Sequence, residues 1–237
     1  MILPDLDARH RQAELMDAPS LAPAQRADAL KALARVNRLS GVAQRIWTKI
    51  LDLHNAEAPP TVRVLDVACG GGDVVVSLAR RAARSGLDLE VHGCDVSPAA
   101  LEVARNNAER AGIRAQFFEL DALRDEIPQD YDIVCCSLFL HHLDEQDAVA
   151  LLGAMAERAR RIVLVQDLRR TVAGYLLALG VLRVISRSHV AHVDGPRSVE
   201  GAFSLEEARE LARRAGLDGV RVETCWPQRF QLTWRRA

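Results

Sequence analysis

The chain is nearly without lysine: Lys31 and Lys49 are its only two, so its 31 basic residues are almost all arginine, and these are spread rather than clustered. Against 32 acidic residues they leave a nearly balanced net charge of −1. That gives no electrostatic footprint for a polyanion, and no nucleic-acid partner is expected. Long apolar runs are also missing. The longest, Val172 to Ile185, is about 14 residues and contains Arg183, short of the roughly 20 that cross a bilayer. An integral membrane segment is not expected, and a lid or cap is the better reading of that run. Cysteine is scarce and unpaired in pattern: Cys69, Cys94, Cys135, Cys136 and Cys225 are odd in number, and none shows a metal-ligand spacing. Buried free thiols in a reducing compartment follow, with no disulfide framework and no metal site expected. Met1 to Arg11 is charged and broken by Pro4, without an apolar core of signal-peptide length. A cytoplasmic location fits. Repeats and low-complexity tracts are absent.

At 237 residues the chain suits one α/β core with an elaboration rather than two full domains. Residues 8 to 55 read as helical, with Ala27, Leu30, Leu33, Ala34 and Val36 near one face and Ile46, Trp47, Ile50, Leu51 and Leu53 continuing the pattern beyond Ser40-Gly41. The expected division is an N-terminal helical segment, 1–58, packing over the site, and a core, 59–237. Within the core, apolar strand candidates (62–67, 89–94, 115–120, 133–138 and 161–166) alternate with helices at 73–84, 98–111 and 145–158. Such a rhythm implies a parallel sheet with right-handed crossovers, an α/β doubly wound fold. Residues 168–203 break the rhythm and are read as a helical lid insertion. Ser204 to Gly216 is a helix with a Ser204/Glu207 capping box, and strands at 220–225 and 230–234 close a seven-stranded, mostly parallel sheet.

The most informative stretch is Val64-Leu65-Asp66-Val67-Ala68-Cys69-Gly70-Gly71-Gly72-Asp73, a buried-strand pattern ending in a glycine turn flanked by aspartates. It lacks the G-x-G-x-x-G spacing that seats a pyrophosphate on a helix N-terminus. Its carboxylates would repel phosphate and favour a cationic ligand. In these residues the chain resembles the D-x-G-x-G-x-G motif of class I S-adenosylmethionine-dependent methyltransferases, with Ala68 standing at the first glycine. Gly93-Cys94-Asp95-Val96-Ser97-Pro98, Asp121-Ala122 and Ser137-Leu138 follow in that family's order. Asn37-Arg38-Leu39-Ser40-Gly41 with Arg45-Ile46-Trp47 is similar to the N-terminal segment of ubiquinone and menaquinone biosynthesis methyltransferases. Leu138 to Leu143 resembles a stretch of small-molecule methyltransferases. Asp167-Leu168-Arg169-Arg170 with His192-Val193-Asp194-Gly195 resembles methyltransferases found beside type III polyketide synthases.

The resemblance implies S-adenosylmethionine as cofactor, S-adenosylhomocysteine as product, and a set of cofactor-binding residues: Asp66, Ala68, Gly70, Gly72, Asp95 with Val96 at the ribose, Asp121 and Ala122 at the adenine, Ser137 and Leu138 at the methionine moiety, and Arg45 at its carboxylate. Methyl transfer is an in-line displacement and needs alignment more than a nucleophile from the protein. A base would speed attack by a phenol. His142 is the first candidate, then His141, Asp167 and His192, with His189 also considered; of the adjacent pair, only one ring is expected to face the acceptor. The apolar lid implies a small lipophilic or aromatic acceptor, phenolic, quinonoid or polyketide-like, with O-methylation favoured over C-methylation. The same lid residues would also serve a homodimer contact. A non-catalytic S-adenosylmethionine-binding regulator and a nicotinamide-dependent oxidoreductase are the rival readings.

Overall fold

The computed structural model describes residues 3–18 and 20–236; Met1, Ile2, Pro19 and Ala237, which complete the expected segments, lie outside the described residues. Seven strands form one sheet in the order β3-β2-β1-β4-β5-β7-β6. Strands β1 (Val62–Val67), β2 (Leu89–Asp95), β3 (Gln116–Glu119), β4 (Tyr131–Ser137) and β5 (Ala159–Leu168) run parallel, while β7 (Arg229–Arg235) is antiparallel to both β5 and β6 (Arg221–Cys225). The order reverses between β1 and β4, the switch point where open α/β sheets form a crevice beyond the strands' carboxyl ends.

Two apolar layers cover the sheet. Val64, Ile133, Ile162 and Leu164 face α2 (Val42–Glu57), α3 (Asp73–Ser85) and α4 (Pro98–Arg110). Leu65, Val134, Val163 and Val165 face α5 (Glu145–Arg158) and α8 (Leu205–Arg214). Both are near-continuous β-branched and aliphatic runs, as strands buried on two faces require. Ser204 accepts from the Glu207 amide at 3.2 Å and Glu207 accepts from the Ser204 amide at 2.7 Å, completing the capping box that the sequence announces.

The N-terminal segment departs from its helical pattern. Helix α1 spans only Pro23–Ser40, and before it the described residues hold no helix or strand other than a single 3-10 turn at Leu15–Asp17. Tertiary contacts override local periodicity there. Arg9 donates to the carbonyls of Gly201 (2.6 Å), His141 (2.8 Å) and Leu143 (2.6 Å) and lies 3.8 Å over the Phe203 ring. The Asp194 carboxylate accepts from the amides of Leu15 (2.8 Å) and Met16 (3.0 Å). The 168–203 insertion is a helical pair, α6 (Val172–Ile185) capped by Thr171 and α7 (His189–Glu200) capped by Ser188. The two helices pack so closely that a Cβ on Gly195 would lie 2.0 Å from Leu182 Cδ1. No helix among the described residues is long and apolar enough to cross a membrane.

Candidate functional site

The glycine turn closes β1 and opens α3. Ala68 (φ 55°), Gly70 (φ 52°) and Gly72 (φ 70°) all take left-handed backbone. Ala68 thus adopts the conformation a glycine would supply, at a cost of about 1–2 kcal/mol. At Gly72 a side chain has no room, because its Cβ would come within 2.9 Å of Ala104 and Phe117. The turn is pinned to the next strand: the Gly70 amide donates to Asp95 Oδ2 at 2.8 Å, and Asp95 Oδ1 accepts from the Ser97 amide at 2.9 Å. Asp66 is buried, with the Cys135 thiol 3.7 Å from its Oδ1. Burial pushes the Asp66 carboxyl well above its ordinary range, and nearby Asp73 adds to the rise. Burial likewise raises Asp73 and Asp95, although backbone amides oppose it at Asp95.

Asp121 turns its carboxylate to its own loop, accepting from the Leu123 amide at 3.0 Å and facing Arg124 at 3.5 Å, with Ala122 beside it half-buried. Val96 is exposed. At the end of β4, Ser137 Oγ is buried without a partner, and Leu138 (φ 55°) is held by its amide on the Gln166 carbonyl at 2.9 Å. Gln166 Oε1, Gln231 Oε1 and Arg229 Nη2 are also buried and unpartnered. Register places Ser137 beside Gln166 and Gln166 beside Gln231, so these three side chains form a row across β4, β5 and β7, with Arg229 two residues before Gln231 on β7. Buried polar atoms left unpaired in a native fold point to a polar ligand.

Arg45 is not at this row. Its guanidinium is spent on the carbonyls of Ser40 and Trp226, tying α2 to the loop before β7. The buried cation near the turn is instead Arg229, which donates to Asn37 Oδ1 at 3.3 Å, while Asn37 Nδ2 donates to Asp73 Oδ2 at 3.2 Å. Burial lowers the Arg229 guanidinium to about 10, with Asp167 and Asp73 among the groups holding it up.

A cavity of about 270 Å³ lies beside the row, walled by Leu33, Val36, Leu177, Val181 and Leu182, with Arg229, Glu14, His141 and His142 in its lining. His141 and Asp167 are both buried, and Nδ1 of His141 sits 2.6 Å from Asp167 Oδ1. Burial alone would discharge the ring, but Asp167 and then Glu14 outweigh it and raise the imidazole to about 10. Asp167 is lowered in turn: burial works against its charge and His141 overcomes it. The histidines stand 4.4 Å apart between centroids, and both line the cavity, contrary to the expectation that one would turn away. The reason is the N-terminal segment, which brings Glu14 between them, 3.6 Å from His141 Nε2 and 3.8 Å from His142 Nε2. Asp17 lies 3.2 Å from His142 Nδ1. His192 belongs elsewhere: its Nε2 contacts the carbonyls of Ser186 (2.8 Å) and Leu182 (3.1 Å), closing the turn between α6 and α7. His189 is exposed.

Sequence reasoning missed Glu14, Asp17, Gln166 and Arg229. None lies in a glycine turn or at a motif spacing, and only the antiparallel placement of β7 brings Arg229 inward.

The chain matches the methyltransferase domain model over residues 64–161. It is 30% identical over 185 residues to the ubiquinone biosynthesis O-methyltransferase of Xylella fastidiosa, a match covering 73% of this chain and 69% of that one. With the protein of the same name from Cupriavidus pinatubonensis it is 29% identical over 166 residues, 68% of this chain and 61% of that one. Among solved structures, the magnesium protoporphyrin IX methyltransferase of Synechocystis with bound SAH superposes with a TM-score of 0.56 at 19% identity, over 85% of this chain and 87% of that one. That likeness is one of fold.

Proposed function

Since the chain belongs to the class I S-adenosylmethionine-dependent methyltransferases, we propose that it methylates a hydroxyl oxygen of a small, largely apolar acceptor of phenolic, quinonoid or polyketide-like character. One observation carries the reading: an apolar cavity with a polar floor, Glu14, His141 and His142, opens beside the row of unpartnered polar atoms at the strand ends. The relatives named for ubiquinone biosynthesis agree with an aromatic hydroxyl as acceptor and with O- over C-methylation.

The residues at the turn fit the cofactor by charge. Asp66 and Asp73 offer anions to its ammonium and sulfonium, Asp95 can accept from two ribose hydroxyls, and Asp121 with Ala122 borders the adenine. Arg229 and Ser137 supply the unpartnered donors for its carboxylate. When bound, S-adenosylmethionine supplies a methyl carbon open to in-line displacement, its sulfur keeping the bonding pair.

The chain's own work is alignment and exclusion of water. Residues 3–18, α6 and α7 close over the cavity, the aliphatic walls hold the acceptor's ring, and the histidine floor meets its hydroxyl. Transfer of label from methyl-labelled S-adenosylmethionine into a set of phenols, quinols and polyketides tests the proposal. Labelled ether products are expected. Absence of S-adenosylmethionine binding by calorimetry, or an unchanged affinity in Asp95→Ala, would overturn it.

A further inference from the structure

The floor of the cavity is built as a ligand set. His141 and His142 each turn Nδ1 to a carboxylate, Asp167 at 2.6 Å and Asp17 at 3.2 Å, and each thereby presents Nε2 to the carboxylate of Glu14. A carboxylate behind each imidazole is the arrangement that fixes ring orientation and raises the basicity of metal-ligating histidines. Glu14 is itself held in place, since the Ser198 hydroxyl donates to its Oε1 at 2.5 Å. One ligand atom from each of Glu14, His141 and His142 lies within 4.8 Å of the other two. The Nε2 to carboxylate distances of 3.6 and 3.8 Å are too long for direct hydrogen bonds. They suit atoms each about 2.0–2.2 Å from a shared ion, whose binding would displace the Nε2 proton of His141 to solvent.

We propose that Glu14, His141 and His142 bind a divalent transition-metal ion at the floor of the acceptor cavity, and that this ion holds the acceptor's hydroxyl oxygen as its anion. Two imidazoles and one carboxylate select zinc or a neighbouring first-row ion over magnesium or calcium, which prefer all-oxygen sets. Three protein ligands leave a position open, as in catalytic rather than structural sites. The surrounding walls direct it: the aliphatic side chains of α1 and α6 line the space in front of the ligands, so an aromatic acceptor entering the cavity meets the ion with its hydroxyl.

Coordination lowers the hydroxyl's pKa, and its proton passes to solvent as the acceptor binds. The oxygen lone pair then forms the bond to the methyl carbon while the sulfur–carbon bond breaks. This role rests on the methyl-transfer reading above; the metal site itself does not.

The ligands are also unusual in origin. Two come from the turn after β4 and one from the N-terminal segment, so the ion would fasten that segment across the cavity. The sequence hides the set because Glu14 lies 127 residues from His141.

The test uses the full chain stripped with a chelator and dialysed. Titration with zinc sulfate by calorimetry, and with cobalt(II) chloride followed by its visible ligand-field bands, is expected to show one saturable site. Glu14→Gln and His142→Ala are expected to weaken binding at least tenfold while the folded signal in circular dichroism is retained. Asp167→Asn, which removes the charge behind His141 and keeps a side-chain oxygen for the backbone amides of His141 and Leu168, is expected to weaken it about 10- to 100-fold. No saturable site, or a site with the same affinity in both ligand variants, overturns the proposal. The two readings fail separately. Methyl transfer that persists unchanged under chelation removes the ion and leaves the methyltransferase, whereas stoichiometric metal binding without transfer to any acceptor does the reverse.

Discussion

Arg229 on β7 and Asn37 on α1, 192 residues apart in the chain, meet inside the protein with Nη1 of the arginine 3.3 Å from Oδ1 of the amide. Asn37 passes the contact on to Asp73, so a buried cation and the half-buried carboxyl at the head of α3 are joined through a neutral group. Arg229 Nη2 is left over. An unpaired charged donor is expensive to bury unless a ligand uses it. Replacement by an apolar residue of similar length therefore separates folding from binding. Arg229→Met is expected to keep or raise the melting temperature while weakening S-adenosylmethionine binding by about 10- to 100-fold, the loss of a charge-assisted hydrogen bond worth roughly 1.5–3 kcal/mol. Calorimetric titration alongside thermal denaturation checks both. A variant that loses stability but keeps cofactor affinity would make Arg229 purely structural.

Cofactor binding is expected to depend on pH in a stated direction. Burial raises the carboxyls of Asp66, Asp73 and Asp95 in the free protein, so each binds a proton at a pH where a free aspartate would be ionised. A cationic ligand requires the ionised form. Binding then expels protons, and affinity strengthens as pH rises through the raised values and levels off above them. As pH rises above the ordinary aspartate range the gain in melting temperature from S-adenosylmethionine should grow, and calorimetry in buffers of different ionisation enthalpy should register proton release. A gain that is flat or falls with pH would count against these carboxylates as the cation's partners.

Much of this fold was legible in the sequence, because its strands are buried on both faces and read as unbroken aliphatic runs between helices of crossover length. The glycine turn was legible for another reason: its chemistry is local, carried by contiguous residues from Asp66 to Asp73. The cavity floor was not. His141 and His142 stand out in the sequence, but what they face is set by Glu14 and Asp17, in a segment whose apolar spacing suggested a helix and whose course is fixed by distant partners such as Arg9 and Asp194. Arg45 and His192 illustrate the converse. Both sit in family-like motifs, and both are consumed by backbone carbonyls that no motif reveals.

Ala68 offers a backbone test. Its φ of 55° is one glycine adopts freely and alanine adopts at a cost of about 1–2 kcal/mol. Against that relief, glycine adds roughly 0.4–1 kcal/mol of chain entropy to the unfolded state. Ala68→Gly should therefore be neutral to stabilising, by up to about 1.6 kcal/mol in urea denaturation. Ala68→Val, with a branched side chain in the same conformation, should be clearly destabilised and bind S-adenosylmethionine more weakly. Equal stability for all three forms would mean that the turn relaxes without cost.

The packing of α6 on α7 shapes one wall of the cavity proposed for the acceptor. Gly195 is where the two helices touch, and a methyl group there would stand 2.0 Å from Leu182 Cδ1, a side chain that also lines the cavity. Gly195→Ala must push Leu182 inward or lift α6 away, and either movement alters the cavity wall while leaving Asp66 and Asp95, which do not line it, untouched. Overpacking of this kind costs typically 1–3 kcal/mol. The expected outcome is an acceptor KM raised several-fold or more with an unchanged S-adenosylmethionine Kd, and at least partial recovery in the Gly195→Ala, Leu182→Ala double variant, where the clashing methyl has been removed. Non-additivity between the two substitutions is the decisive quantity. If the double variant were simply the sum of the two single losses, the helices would not share a wall of the acceptor site, and the lid role of residues 168–203 would fall with that result.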